Sequence, residues 1–122
     1  MNKSKKPFTG LHILGEITTD GVEKLKTLTQ AKKYIDSVIK KYNLHKLGAF
    51  YYRFSKGGGF TILISLVESH IAIHTWPELG YLTLDVYLCN YSKDNSTVCK
   101  KVFKEISEYF HPLKITKRFI KR

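Results

Sequence analysis

The sequence predicts an α+β protein: an antiparallel sheet with two helices packed on one face. Two observations point there. Only two stretches carry an apolar stripe with helical spacing, at 30–42 and 97–110, and the segments around them read as strands. The order is strand, helix, several strands, helix, strand, which leaves one sheet face without a helical cover.

The first strand is predicted over Phe8 to Ile17, with Leu11, Ile13 and Ile17 in imperfect alternation, and Thr18-Thr19-Asp20-Gly21 as a turn. Thr29 is placed as N-cap of a helix from Gln30 to about Tyr42. Ala31, Tyr34, Ile35, Val38 and Ile39 share one face of it, and Lys32, Lys33, Lys40 and Lys41 the other. Asn43 suits its termination. Strands follow at Leu47–Phe54, Phe60–Val67, His70–Trp76 and Tyr81–Cys89, with 56–59 as a glycine loop and Pro77-Glu78-Leu79-Gly80 as a turn. Ser92 to Ser96 is polar enough to cap a second helix, Thr97 to Phe110, striped by Val98, Val102, Ile106 and Tyr109. Pro112 ends it, and Leu113 to Ile120 is the last strand.

A chain of 122 residues, 43% hydrophobic, is expected to form one domain, 1–122. A domain this small leaves much of its surface exposed, and its uncovered sheet face favours a homodimer. The longest apolar run, Thr61 to Val67, is too short to span a bilayer. The basic start, Met1 to Pro7, reads as a disordered lead-in without an apolar signal core, so a cytoplasmic protein is expected. Cys89 and Cys99 make no disulfide framework and are read as free thiols.

The net charge of +11 raises nucleic acid as a partner. The distribution argues against specific binding. From Gly57 to Ser92 the only formal charges are Glu68, Glu78 and Asp85, and the positive excess lies in 24–56 and 93–122 as solvated faces and a tail.

Reactive side chains crowd into that weakly charged stretch: Glu68, Ser69, His70, His74, Trp76, Glu78, Asp85 and Cys89. Burial there would shift pKa values and favour chemistry. The segment from Glu68 to Glu78, ESHIAIHTWPE, resembles the self-processing site of the prokaryotic S-adenosylmethionine decarboxylases. Asp85-Val86-Tyr87-Leu88-Cys89 is similar to the family's second active-site element, and Gly10-Leu11-His12-Ile13-Leu14 to its opening.

The resemblance implies autocatalytic cleavage between Glu68 and Ser69 into chains 1–68 and 69–122. Ser69 would attack the Glu68 carbonyl and turn the amide into an ester. His74 would remove the Ser69 α-proton, a role suited to a pKa near neutrality. Elimination and hydrolysis would leave a pyruvoyl cofactor in place of Ser69. That group supplies the electron sink that pyridoxal phosphate provides elsewhere. Cys89 aligns with the proton donor, and a thiol with a pKa near ~8.5 stays mostly protonated at neutral pH. Ser69 and His74 are five apart, which in a flat strand puts them on opposite faces. The chain must bend near Ser69, or Ser69 must end the strand.

The implied substrate is S-adenosylmethionine, decarboxylated to supply aminopropyl groups for spermidine synthesis. By the same resemblance Trp76 and Phe54 stack on adenine, Glu78 bonds the ribose hydroxyls and Thr61 assists processing. Two features depart from the family. Its Phe-x-Pro-x-Gly stretch is replaced by residues 54–60, FSKGGGF, and the glycine usual after the cysteine is Asn90. Decarboxylation of arginine or ornithine on the same fold therefore stays open, as does a basic, non-catalytic binding paralogue. The intact Ser69, His74 and Cys89 set favours the enzyme.

Simpler readings stand beside these. Trp76 and Phe54 are equally compatible with core packing. His70 reads as structural, and Cys99 as packing. His70, His74 and Cys89 would suit zinc but lack a fourth ligand and any Cys-x-x-Cys, so no metal is expected. His12, His45 and His111 have no evident partner, and the glycine run lacks the Lys-Ser/Thr of a phosphate loop.

Overall fold

The computed structural model describes residues 9–55, 57–90 and 93–122. It forms one six-stranded sheet, ordered β2-β3-β4-β5-β1-β6, with every neighbouring pair antiparallel. The elements are β1 (Gly10–Thr19), α1 (Val22–Lys26), α2 (Leu28–Lys41), β2 (Lys46–Arg53), β3 (Phe60–Leu66), β4 (Ser69–Trp76), β5 (Tyr81–Cys89), α3 (Ser96–Tyr109) and β6 (Pro112–Lys121), with a 3₁₀ turn at Pro77–Leu79. The α+β class is as the sequence predicts. Among the described residues no helix is long and apolar enough to cross a membrane.

The alternation of the strands decides which face is covered. Ile71 and Ile73 of β4, Leu82, Leu84 and Val86 of β5, and Ile13 and Ile17 of β1 are buried. They pack with Ala31, Ile35 and Val38 of α2 and Val102, Phe103 and Ile106 of α3 in one core. Thr75 points into the same core. Its hydroxyl donates to the Leu25 carbonyl of α1 at 2.7 Å and accepts the Phe60 amide at 2.8 Å, so this buried polar group is satisfied. The opposite face carries Phe50, Tyr52, Leu63 and Trp76, all exposed.

Several boundaries differ from the sequence reading. There are three helices among the described residues, because 22–26 forms one short turn of helix that is too brief to show a stripe. That turn displaces the predicted cap. The second helix starts at Leu28, not Gln30, and Thr27 rather than Thr29 precedes it. The Thr27 hydroxyl is taken by the Glu23 carbonyl at 2.7 Å, closing α1. Thr18 and Thr19 belong to β1, since that strand is paired on both sides. Asn43 ends α2 with a φ of 55°, a left-handed conformation asparagine tolerates. Residues 1–7, Phe8, Lys56 and Ser92, for which a lead-in, a strand start, a loop and a cap are expected, lie outside the described residues.

Candidate active site

The site residues fall into two groups at opposite ends of β4. The first is the hairpin between β3 and β4. Leu66 pairs with Ser69, so Val67 and Glu68 form the turn. Glu68 adopts φ 58°, a left-handed conformation that costs a residue with a Cβ about 1 kcal/mol or more. The next peptide bond is Glu68–Ser69. Ser69 opens β4, and the ladders on both sides of that strand run without a bulge. Of the two ways around the five-residue spacing, the chain uses the strand's end.

Across from this turn, the Ser69 hydroxyl oxygen accepts the Cys89 amide at 3.0 Å. Cys89 is a free, buried thiol at the end of β5. Burial raises the Tyr87 phenol pKa, with the neighbouring Cys89 adding to it, so Tyr87 stays protonated beside that thiol. Tyr87 reaches this position because Gly10 faces it, and a side chain at residue 10 would collide with the phenol. Asn90 has a structural use for its side chain. Its Oδ1 accepts the Asn95 amide at 2.7 Å while Asn95 Nδ2 donates to the Cys89 carbonyl at 2.9 Å. The pair clasps the chain just past Cys89. A cleft of ≈ 200 Å³ opens here, lined by His45, Glu68, Ser69, Cys89, Lys93 and Asn95 among others. His45 had no partner in the sequence reading. It arrives because the Val67 amide donates to its carbonyl at 3.0 Å, a tertiary contact with no local signal.

The second group sits at the other end. Thr61 and His74 are direct cross-strand partners, and Thr61 Oγ1 lies 3.0 Å from His74 Nδ1. Trp76 is two residues further along the same face, with its ring 6.3 Å from the His74 ring and 5.4 Å from that of Tyr81. Phe54, Thr61, His74, Trp76 and Glu78 line one cleft of ≈ 390 Å³. Phe54 is 50% exposed and Trp76 37%, so neither is a core aromatic. Gly59 keeps the cleft's floor close to β4, since a side chain there would strike the Thr75 carbonyl.

Ser69 and His74 are not brought together within the protomer. Five strand residues separate them by about 16 Å. Ser69 is in phase with the buried Ile71 and Ile73, His74 with the open face. Between the two groups, His70 stacks edge-on to His12 with centroids 5.4 Å apart and lies 5.6 Å from the Tyr87 ring. Burial lowers the pKa of both histidines. No group of three metal-ligating side chains converges among the described residues. Cys99 is sealed in the core, its thiol 3.3 Å from the Leu11 carbonyl and its pKa pushed up to about 11 by burial.

This helix-backed antiparallel sheet, with Glu68-Ser69 at a hairpin tip and the Cys89 amide on the serine hydroxyl, has the fold of an adenosylmethionine decarboxylase. The fold superposes on the crystal structure of that enzyme from Aquifex aeolicus with a TM-score of 0.82 and 30% identity, over 94% of this chain and 91% of that one. The family model for S-adenosylmethionine decarboxylase matches residues 11–122, and the chain belongs to that family. It is 35% identical to the S-adenosylmethionine decarboxylase proenzyme of Archaeoglobus fulgidus over 86% of this chain and 89% of that one. The similarity to the Thermoplasma volcanium proenzyme is 30% over 96% and 86%. To the Sulfurihydrogenibium proenzyme it is 42%, over 66% of this chain and 59% of that protein's length.

Proposed function

We propose that this chain cleaves its own Glu68–Ser69 bond, converts Ser69 to a pyruvoyl group, and decarboxylates S-adenosylmethionine as a homodimer with two composite sites. The observation that carries this reading is the separation of Ser69 and Cys89 from His74, Trp76 and Glu78 at opposite ends of β4, in a sheet whose second face is uncovered. A twofold axis over Ala72, midway along β4, sets the serine end of one protomer against the histidine end of its partner. Leu63 and Asp85 flank Ala72 in register, and the exposed Phe50 pairs with Leu63, so the axis passes through a partly apolar patch. The names of the relatives, all proenzymes of this decarboxylase, support the same reading.

The residues fit the chemistry. The hydroxyl of Ser69 attacks the Glu68 carbonyl carbon, a C–O bond forms and the C–N bond breaks. The left-handed Glu68 raises the energy of the starting turn. His74 of the partner protomer takes the Ser69 α-proton through Nε2, with its Nδ1–H held by Thr61 Oγ1. The ester C–O bond then breaks, Glu68 leaves as a carboxylate, and one water releases ammonia. The resulting group fits a cleft that keeps Cys89 beside residue 69, and when formed it supplies an electron sink for loss of carbon dioxide. Phe54 and Trp76 offer planar faces to adenine, Glu78 accepts from the ribose hydroxyls, and Cys89 returns a proton to the substrate α-carbon. The product feeds aminopropyl transfer in polyamine synthesis. Two buried free thiols suit a reducing, cytoplasmic setting.

Complementation tests the composite site. Ser69→Ala and His74→Ala chains each fail to mature alone. Co-expressed, their mixed dimer holds one site with both residues intact, and the His74→Ala chains in it should be cleaved. Absence of any cleaved chain in a purified mixed dimer refutes a shared site.

A further inference from the structure

Phe54 is a wall between two clefts. One is the ≈ 390 Å³ cleft of Thr61, His74, Trp76 and Glu78. The other, on the far side, is a cleft of ≈ 500 Å³ lined by Lys26, Thr27, Thr29, Arg53, Phe54 and Gly58, together with Leu28 and Gly57. The two share Phe54 and Gly58 in their linings, so they adjoin there. The second cleft presents two cationic side chains and two hydroxyl residues, and no carboxylate lines it. Lys26 meets Glu23 at 3.8 Å in a solvent-exposed pair that holds it weakly. Arg53 has no carboxylate within ion-pair distance among the described residues.

S-adenosylmethionine, with a sulfonium, an ammonium and one carboxylate, has a net charge of about +1 and gains less from these cations than a polyanion does. They suit an anion, and the arginine fork suits phosphate oxygens in particular. We propose that the far cleft takes the phosphate groups of an adenine nucleotide whose nucleoside occupies the Phe54–Trp76–Glu78 cleft. This rests on the nucleoside reading of that cleft. Bound so, a nucleotide excludes the substrate and inhibits competitively, and its phosphates set its affinity. A decarboxylase with this feature answers to the concentration of adenine nucleotides.

The test uses full-length Ser69→Ala protein, which keeps both clefts and does not self-process. Calorimetric titration compares adenosine, ADP and inorganic pyrophosphate at low salt. ADP should bind at least about tenfold more tightly than adenosine, a difference of about 1.4 kcal/mol. Arg53→Ala should remove most of that gain, leave adenosine affinity unchanged, and be partly restored by Arg53→Lys. Trp76→Ala should weaken adenosine and ADP alike. Adenosine binding with no advantage for ADP overturns the phosphate cleft and leaves the nucleoside reading standing. An ADP advantage that Arg53→Ala does not touch also overturns it. If adenosine and ADP both fail to bind, the nucleoside reading falls and the phosphate cleft with it.

Discussion

Thr61 and His74 face each other across the β3–β4 ladder with 3.0 Å between Oγ1 and Nδ1. In the tautomer with its proton on Nδ1, the ring donates to the Thr61 hydroxyl oxygen and Nε2 is free to act as a base. Thr61→Val should therefore slow self-cleavage by about 10- to 100-fold, the loss of one hydrogen bond to a charged group. Thr61→Ser should restore it. The rate at which one band becomes two on a denaturing gel measures both.

The serine and histidine steps separate chemically. Ser69→Ala should remain one chain of 122 residues. His74→Ala should stop at the ester, which hydroxylamine still splits, leaving Ser69 as serine in a fragment of 122 − 68 = 54 residues. Intact mass distinguishes these from a pyruvoyl-blocked fragment, and wild-type cleavage in His74→Ala would remove the histidine from the mechanism.

In the proposed mechanism Cys89, whose amide donates to the Ser69 hydroxyl, is the proton donor. Cys89→Ser should turn over poorly, because a hydroxyl is a much weaker acid than a thiol. It should also misplace protons and convert the pyruvoyl end to alanine during turnover. Clean product at the wild-type rate from Cys89→Ser would move the proton to another source.

The proposed twofold axis over Ala72 would make that position its own neighbour in the dimer. Two facing sheets lie about 10 Å apart. Ala72→Cys should then be joined to its copy by a bis-maleimide of that reach, while Leu63→Asp should yield monomers by light scattering and abolish maturation. An active monomer would sink the dimer.

Burial lowers the pKa values of His12 and His70 in the folded protein. The unfolded chain, with an ordinary histidine pKa of 6.5, binds protons first as pH falls. Stability contributed by keeping these rings neutral is therefore full above about pH 6.5 and is lost below it. The melting temperature should drop between pH 7 and pH 5, and less steeply in His12→Gln. Charges facing the pair, Asp85 and Arg122, act in opposite senses on both rings.

What could be read from the sequence followed from periodicity and from local motifs. The alternation of Leu82, Leu84, Val86 and Leu88 located β5 to the residue, and the stripes of α2 and α3 placed both within two residues. The five-residue α1 carried too few apolar positions to make a period, and its presence moved the α2 cap. Glu68 to Glu78 gave every candidate in that stretch. It could not say that they divide between two clefts, since that depends on which strand ends Phe54 and Cys89 reach. His45 and Lys93 line the serine cleft through tertiary placement alone.

The strand order has a consequence for the mature protein's life history. The proposed cleavage at the β3–β4 tip would assign β1, β2 and β3 to one fragment and β4, β5 and β6 to the other. In the sheet these interleave: β3 abuts β4, and β1 is threaded between β5 and β6. The uncut chain folds as a single molecule, at a rate independent of concentration. Once cut, the same sheet can re-form only by a bimolecular encounter, with β1 finding its slot between two strands of a different chain. Diluting unfolded proenzyme and unfolded mature protein side by side should show it: the first recovers its structure, the second recovers less the more dilute it is. Maturation by that cleavage would thus turn a refoldable protein into one whose persistence depends on how slowly it unfolds.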